Sequence, residues 1–144
     1  MTALNFVFTH VHIYASEPED TVSWLTEGLG GEVIGRHRYG DYPEATQIRI
    51  GSLIIQVRGH RSGESFAPAG PRTFGWDHIG LSVEDLGATL AALRDRGVEP
   101  ETSFENGFRV PDGVAFVRGP DGLWVEITTL DYEPAPEDVL AARH

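Results

Sequence analysis

The stretch Gly75–Leu86, GWDHIGLSVEDL, has a worn copy in Phe8–Asp20, FTHVHIYASEPED, and this duplication constrains the fold more than any other feature of the chain. Aligning His10 with His78 sets two similar units in register. In the first, a strand-like stretch from Asn5 to Ala15 leads into SEPEDTVSWLTEGLGG. Ser16 and Glu19 have capping-box spacing, Val22, Leu25 and Leu29 fall on one helical face, and Gly28, Gly30 and Gly31 stop the helix. In the second, a strand from Asp77 to Val83 leads into EDLGATLAALRDRGV, where Leu86, Leu90 and Leu93 recur at helical spacing and Gly97 is the stop. His10 to Gly30 spans 20 residues and His78 to Gly97 spans 19.

Three strand-like stretches follow each helix: EVIGRHRY, ATQIRIG and SLIIQVRG in the first unit, and ETSFENG, GVAFVRG and LWVEITTL in the second. The sequence GPDG, Gly119 to Gly122, reads as a tight turn between the last two. It lacks the strand–loop–helix context of a phosphate loop. His10 lies 46 residues before Gln56, and His78 lies 48 before Glu126. The order β-α-β-β-β, met twice, predicts an α+β domain over 1–144. Its modules cover about 5–60 and 76–130, joined by a Gly/Pro/Ser-rich linker at 61–75 and followed by a tail at 131–144 with a short helix after Pro136.

Composition narrows the function. The formal charge is −11, with 22 acidic residues against 11 arginines and no lysine, so a phosphate backbone or an anionic lipid surface is repelled. Absence of cysteine removes disulfides, thiol nucleophiles and thiolate metal sites. No apolar run approaches the ~20 residues of a membrane helix, and the N-terminus lacks the features of a signal peptide, so a cytoplasmic protein is expected.

Strand alternation separates Leu53, Ile55 and Val57 from Ile54, Gln56 and Arg58, and Leu123, Val125 and Ile127 from Trp124, Glu126 and Thr128. The aliphatic set suits the helices. His10, Gln56, His78 and Glu126 then share the opposite faces. A lone carboxylate among the large apolar side chains of LWVEI must be neutralised, paired or bound to a metal. Two imidazoles, an amide oxygen and a carboxylate form a reasonable shell for a divalent first-row metal. The plain alternative is a structural histidine on each strand and a Glu126 paired with arginine.

With these residues in place, the sequence resembles the vicinal oxygen chelate superfamily, which includes glyoxalase I, methylmalonyl-CoA epimerase, fosfomycin-resistance enzymes, bleomycin-binding proteins and extradiol dioxygenases. DHIGLSVEDL followed by RGPDGLWVEI is similar to the family's C-terminal module, and THVHIYASEPEDTVSWLTEGLGGE to its N-terminal one. The resemblance covers roughly Phe6 to Leu130. It implies tandem βαβββ modules forming a curved mixed sheet around a metal-binding cleft, often completed across a homodimer. It also implies metal ligation by His10, Gln56, His78 and Glu126, holding one Zn, Ni, Co, Mn or Fe ion. The expected activity is a lyase or isomerase reaction, glyoxalase- or epimerase-like, through an enediolate or enolate of a small substrate. Glu126 is the catalytic proton carrier, with Glu44 a far weaker candidate.

Two other readings stay open. An Fe(II) extradiol-type dioxygenase would use His10, His78 and Glu126 and leave Gln56 unused. A metal-free binding or antibiotic-resistance protein would need none of the four. His12 lies two residues from His10 on the same face, about 7 Å along the strand. Gly80 occupies the matching position in the second repeat, so His10 is the expected ligand and His12 a substrate-facing group. Trp124 is expected either to wall the pocket or to pack at a module interface. Arg49, with His37 and Arg38, is a candidate partner for an anionic substrate group, against the simpler reading of surface ion pairing.

Overall fold

The computed structural model describes residues 4–38, 40, 43–68, 75–104 and 107–129. The expected tail helix lies outside them. Two mixed sheets form, each with one parallel pair. The first has the order β1-β4-β3-β2, with β1 Val11–Tyr14, β2 Glu32–His37, β3 Ala45–Ile50 and β4 Leu53–Arg58. The second has the order β5-β7-β6, with β5 Ile79–Val83, β6 Val114–Arg118 and β7 Trp124–Thr129. Thus the one curved sheet expected from the sequence is two sheets among the described residues. The repeat alignment holds in the pairing: Val11 lies opposite Ile55 as Ile79 lies opposite Val125.

Each sheet buries its aliphatic face under its helix. In the first half, Ile48, Ile55 and Val57 pack with Val22 and Leu25. These last two come from α1, Pro18–Ser23, and the π-helical turn Trp24–Gly28 that continues it. In the second half, Val117, Val125 and Ile127 pack with Leu93 and Val98, and with Leu86 and Leu90. These leucines lie on α2, Leu86–Asp95. Asp85 caps α2 by accepting a hydrogen bond from the Ala88 N–H, and Gly97 ends it at φ 78°, a conformation glycine adopts without Cβ strain.

Trp24 joins the halves, packing against both cores. A Cβ at Gly119 would lie 2.8 Å from three atoms of the Trp24 ring, so only glycine lets the turn before Pro120 close on the indole. A second tie is polar. Asp121 accepts hydrogen bonds from the Ser16 N–H at 2.8 Å and the Ser16 hydroxyl at 2.6 Å. Ser16 is therefore spent on this tie, and Glu17, without a side-chain hydrogen bond, stands at the N-cap of α1 in place of the expected capping box.

Two strands are shorter than their sequence patterns. Among the described residues the pairing of the first strand begins only at Val11, so residues 5–10 stay outside β1. The described residues of ETSFENG make just two isolated bridges, Glu101 with Phe116 and Ser103 with Arg109. Phe104 instead turns in to pack on Val110, Val114, Phe116 and Trp124.

Candidate functional site

The opposite faces of the two sheets carry the polar residues. In the second half Glu126 sits mid-strand on β7, opposite Gly80 on β5 and Phe116 on β6, and is only 9% exposed. Nothing lies within 4 Å of where a Gly80 Cβ would be. His78, one residue before β5, reaches Glu126: its Nε2 lies 2.6 Å from Glu126 Oε2. The ring's other side is fixed as well, with Nδ1 2.7 Å from Asp77 Oδ2. A carboxylate behind a histidine sets its tautomer and orientation, leaving Nε2 for a cation shared with Glu126. Phe116 and Trp124 meet the imidazole edge-on, with centroids 5.4 and 6.0 Å away.

Trp124 is itself held. Its indole N–H donates to Glu101 at 3.1 Å, Arg118 donates to the same carboxylate at 2.8 Å, and the Arg118 guanidinium lies 5.0 Å from the indole ring. The tryptophan thus combines two roles, packing in the core and bordering the cleft.

The equivalent face of the first half is more polar. His12 lies opposite Gln56, and Gln56 opposite Gln47. Gln47 Oε1 lies 2.8 Å from His37 Nε2, so four strands carry a His–Gln–Gln–His row. His10 precedes β1, with Nδ1 2.9 Å from the Thr9 hydroxyl. Beyond His12, Tyr14 lies opposite Arg58 and its ring sits 4.3 Å from the guanidinium. Burial holds the His12 imidazole below its usual range, helped by the positive charge of Arg58, so a neutral ring is favoured.

A cavity of about 800 Å³ is lined by His10, His12, Asp77, His78 and Trp124 among others. Gln56 and Glu126 do not line it, and Arg49 is spent on Glu32 at 2.7 Å. Among the described residues no three His, Asp or Glu side chains are arranged around one point to hold a metal. The His78–Glu126 pair is chemically suited to half of a metal's donor set. The matched positions on the first sheet carry His10 and Gln56. Asp77, Gln47 and Tyr14 were not singled out from the sequence. Asp77 was open to discovery, since it directly precedes a candidate ligand.

One further polar group lies at the end of this face. Hydrogen bonds from Arg58 and from the Arg61 N–H hold the Glu64 carboxylate down at about 2 from an ordinary 4.5. A depressed carboxylate stabilises the fold above its unfolded value and loses that contribution as pH falls towards its folded value. Glu64→Gln is therefore expected to flatten the acid limb of stability between about pH 4.5 and 2. Urea unfolding at several pH values checks this; wild type and variant lines that stay parallel would contradict it.

Comparison with known proteins agrees with the repeated architecture. A glyoxalase family protein from Enterococcus faecalis superposes with a TM-score of 0.64 at 28% identity, covering 85% of this chain and 96% of that one. A fosfomycin resistance protein from Listeria monocytogenes, complexed with Mn(II) and dihydroxypropylphosphonic acid, shares the fold at a TM-score of 0.65 and 15% identity, over 95% of this chain and 99% of that one. Glyoxalase I of Saccharomyces cerevisiae is 39% identical over 59 residues, which are 41% of this chain and only 18% of the yeast protein. No helix among the described residues is long and apolar enough to cross a membrane. The family model matches residues 7–127, nearly the whole repeated region, and the chain belongs to the Glyoxalase/Bleomycin resistance protein/Dioxygenase superfamily.

Proposed function

We propose that the protein is a divalent-metal-dependent enzyme of the lyase/isomerase kind, glyoxalase- or epimerase-like, acting on a small substrate with neighbouring oxygens or an acidic C–H. The carrying observation is the His78–Glu126 contact at 2.6 Å, backed by Asp77 and walled by aromatic rings. In this reading His10, Gln56, His78 and Glu126 hold one Zn, Ni, Co, Mn or Fe ion, which when bound supplies charge to polarise a substrate oxygen. The chain's own residues do the rest. Glu126 takes a proton from substrate carbon and returns it. Asp77 keeps His78 aimed, His12 and Trp124 face the substrate, and Arg49 joins only where Glu32 releases it. The aromatic wall keeps bulk water from the proton.

The two half-sets meet, in this proposal, in a homodimer. Leu4, Phe6, Val7 and Phe8 lead into His10, and Trp76 leads into His78; all five are large, apolar and exposed, Trp76 at 87%. Apolar patches of this kind are cover for a partner. A second copy laid over them covers both histidine-bearing strand starts at once.

Reconstitution of chelator-stripped protein with each of the five metals, followed by elemental analysis and sedimentation, tests the reading. About one ion per chain and a dimer are expected, with metal-dependent exchange of substrate C–H for solvent deuterium. No uptake of any ion would overturn it in favour of a metal-free binding protein. The Fe(II) extradiol dioxygenase reading differs in leaving Gln56 off the metal. That reading requires Gln56→Ala to keep iron and to consume oxygen with catechols.

A further inference from the structure

Arg58 is the most buried charged side chain among the described residues, at 3% exposure, on the β4 face that carries Gln56. A buried guanidinium must be compensated. Its partner comes from outside regular structure. Glu64 lies in the segment between the halves, and its Oε2 and Oε1 accept from Nη1 at 2.7 Å and Nη2 at 2.8 Å. Nη1 also donates to the Gly59 carbonyl at 2.9 Å. The Nε–H, equally buried, has no hydrogen-bond partner among the described residues. Such an orphan is costly and calls for a reason. A guanidinium offers a carboxylate two double-donor edges, one across Nη1 and Nη2 and one across Nε and Nη2. Glu64 fills the first, and the second lacks an acceptor at Nε.

We propose that Arg58 is an anion-recognition group for a small monocarboxylate ligand, and that Glu64 is an intramolecular stand-in for that ligand's carboxylate. The chain carries a net charge of −11, so anion binding needs a dedicated cation shielded from the other carboxylates, and Arg58 is placed as one. Tyr14 holds its guanidinium flat from one face. Gln56 lies two residues back along β4, about 7 Å away, with His12 opposite it. A ligand whose carboxylate reaches Arg58 therefore extends its other end over the His12–Gln56 pair. A polyanion does not suit a single guanidinium, whereas a compact acid with a remote hydroxyl or carbonyl does. The inference rests on the proposed function only in taking this sheet face as the ligand face.

The test uses metal-free protein, so its failure leaves the metal reading untouched. The probe is 4-hydroxybenzoate, whose two polar groups stand at opposite ends of a ring, against its neutral methyl ester. Affinity is read by calorimetry and by the ¹⁵N-resolved Nε–H signal of Arg58. Glu64→Gln should bind the acid at least tenfold more tightly than wild type, with the Arg58 signal shifting on saturation. The ester should bind neither protein, and Arg58→Lys, which keeps the charge and loses the fork, should cancel the gain in the Glu64→Gln background. Glu64→Asp, one methylene shorter, should give an intermediate gain, so the comparison survives if Glu64→Gln does not fold. Equal affinity in wild type and both Glu64 variants, equal binding of acid and ester, or a gain that persists with Arg58→Lys would each overturn the proposal.

Discussion

Replacing His78 or Glu126 by alanine will weaken divalent-metal binding by roughly 100-fold or more, about 3 kcal/mol. The two side chains form the most complete part of the proposed donor set, 2.6 Å apart and fixed from behind. Removing His78 takes away a nitrogen donor and leaves Glu126, at 9% exposure, without its partner. Removing Glu126 takes away the anionic donor that offsets the ion's charge. Asp77→Asn keeps both donors and weakens only the hold on the ring, so its loss should be nearer tenfold. Competition with a chromophoric chelator measures all three. If His78→Ala binds metal as tightly as wild type, the assignment of this pair to a metal is wrong, whatever the protein catalyses.

The largest stability effect is expected at Leu25. Leu25→Ala should cost about 3 kcal/mol and lower the melting temperature by roughly 6–12 °C for a chain of this size. Leu25 is 0% exposed and packs in the core that holds Ile48 and Ile55. Its surroundings cannot close over the gap. The Leu25 carbonyl accepts from the Gly31 N–H at 2.9 Å, and a Cβ at Gly31 would already press on Ile48 at 2.7 Å. The turn is thus pinned against the sheet. Calorimetry on the purified variant checks the value; a melting temperature within 2 °C of wild type would show that the π-helical turn can repack.

The repeat made most of the fold legible. Helix stops at Gly30 and Gly97, the aliphatic faces of β4 and β7 and the Glu126 position all follow from local pattern, and local pattern survives folding. What failed to show was decided by partners distant in sequence. Ser16 and Glu19 have capping-box spacing, yet Asp121, 105 residues away, takes the Ser16 hydroxyl. The stretch before Val11 alternates like a strand but makes no ladder pair among the described residues. Among its described residues ETSFENG makes two isolated bridges, while Phe104 packs against Phe116 and Trp124. At the candidate site, the alignment of His10 with His78 anticipated equivalent strand registers. Pattern alone could not tell that His78 turns onto Glu126, that Arg49 is occupied by Glu32, or that the Gly/Pro/Ser-rich segment after β4 holds the acid that neutralises Arg58.

Trp24 gives the repeat an unexpected thermodynamic character. Each half is topologically complete, with its own sheet, helix and apolar cluster, and a chain built by duplication could in principle melt in two steps. The indole belongs to both cores, and Gly119 is hollowed to receive it. Separating the halves strips that ring from one core and leaves a notch in the other, so the two repeats are expected to melt in one step. The symmetry visible along the sequence is a symmetry of topology, while cooperativity belongs to the pair.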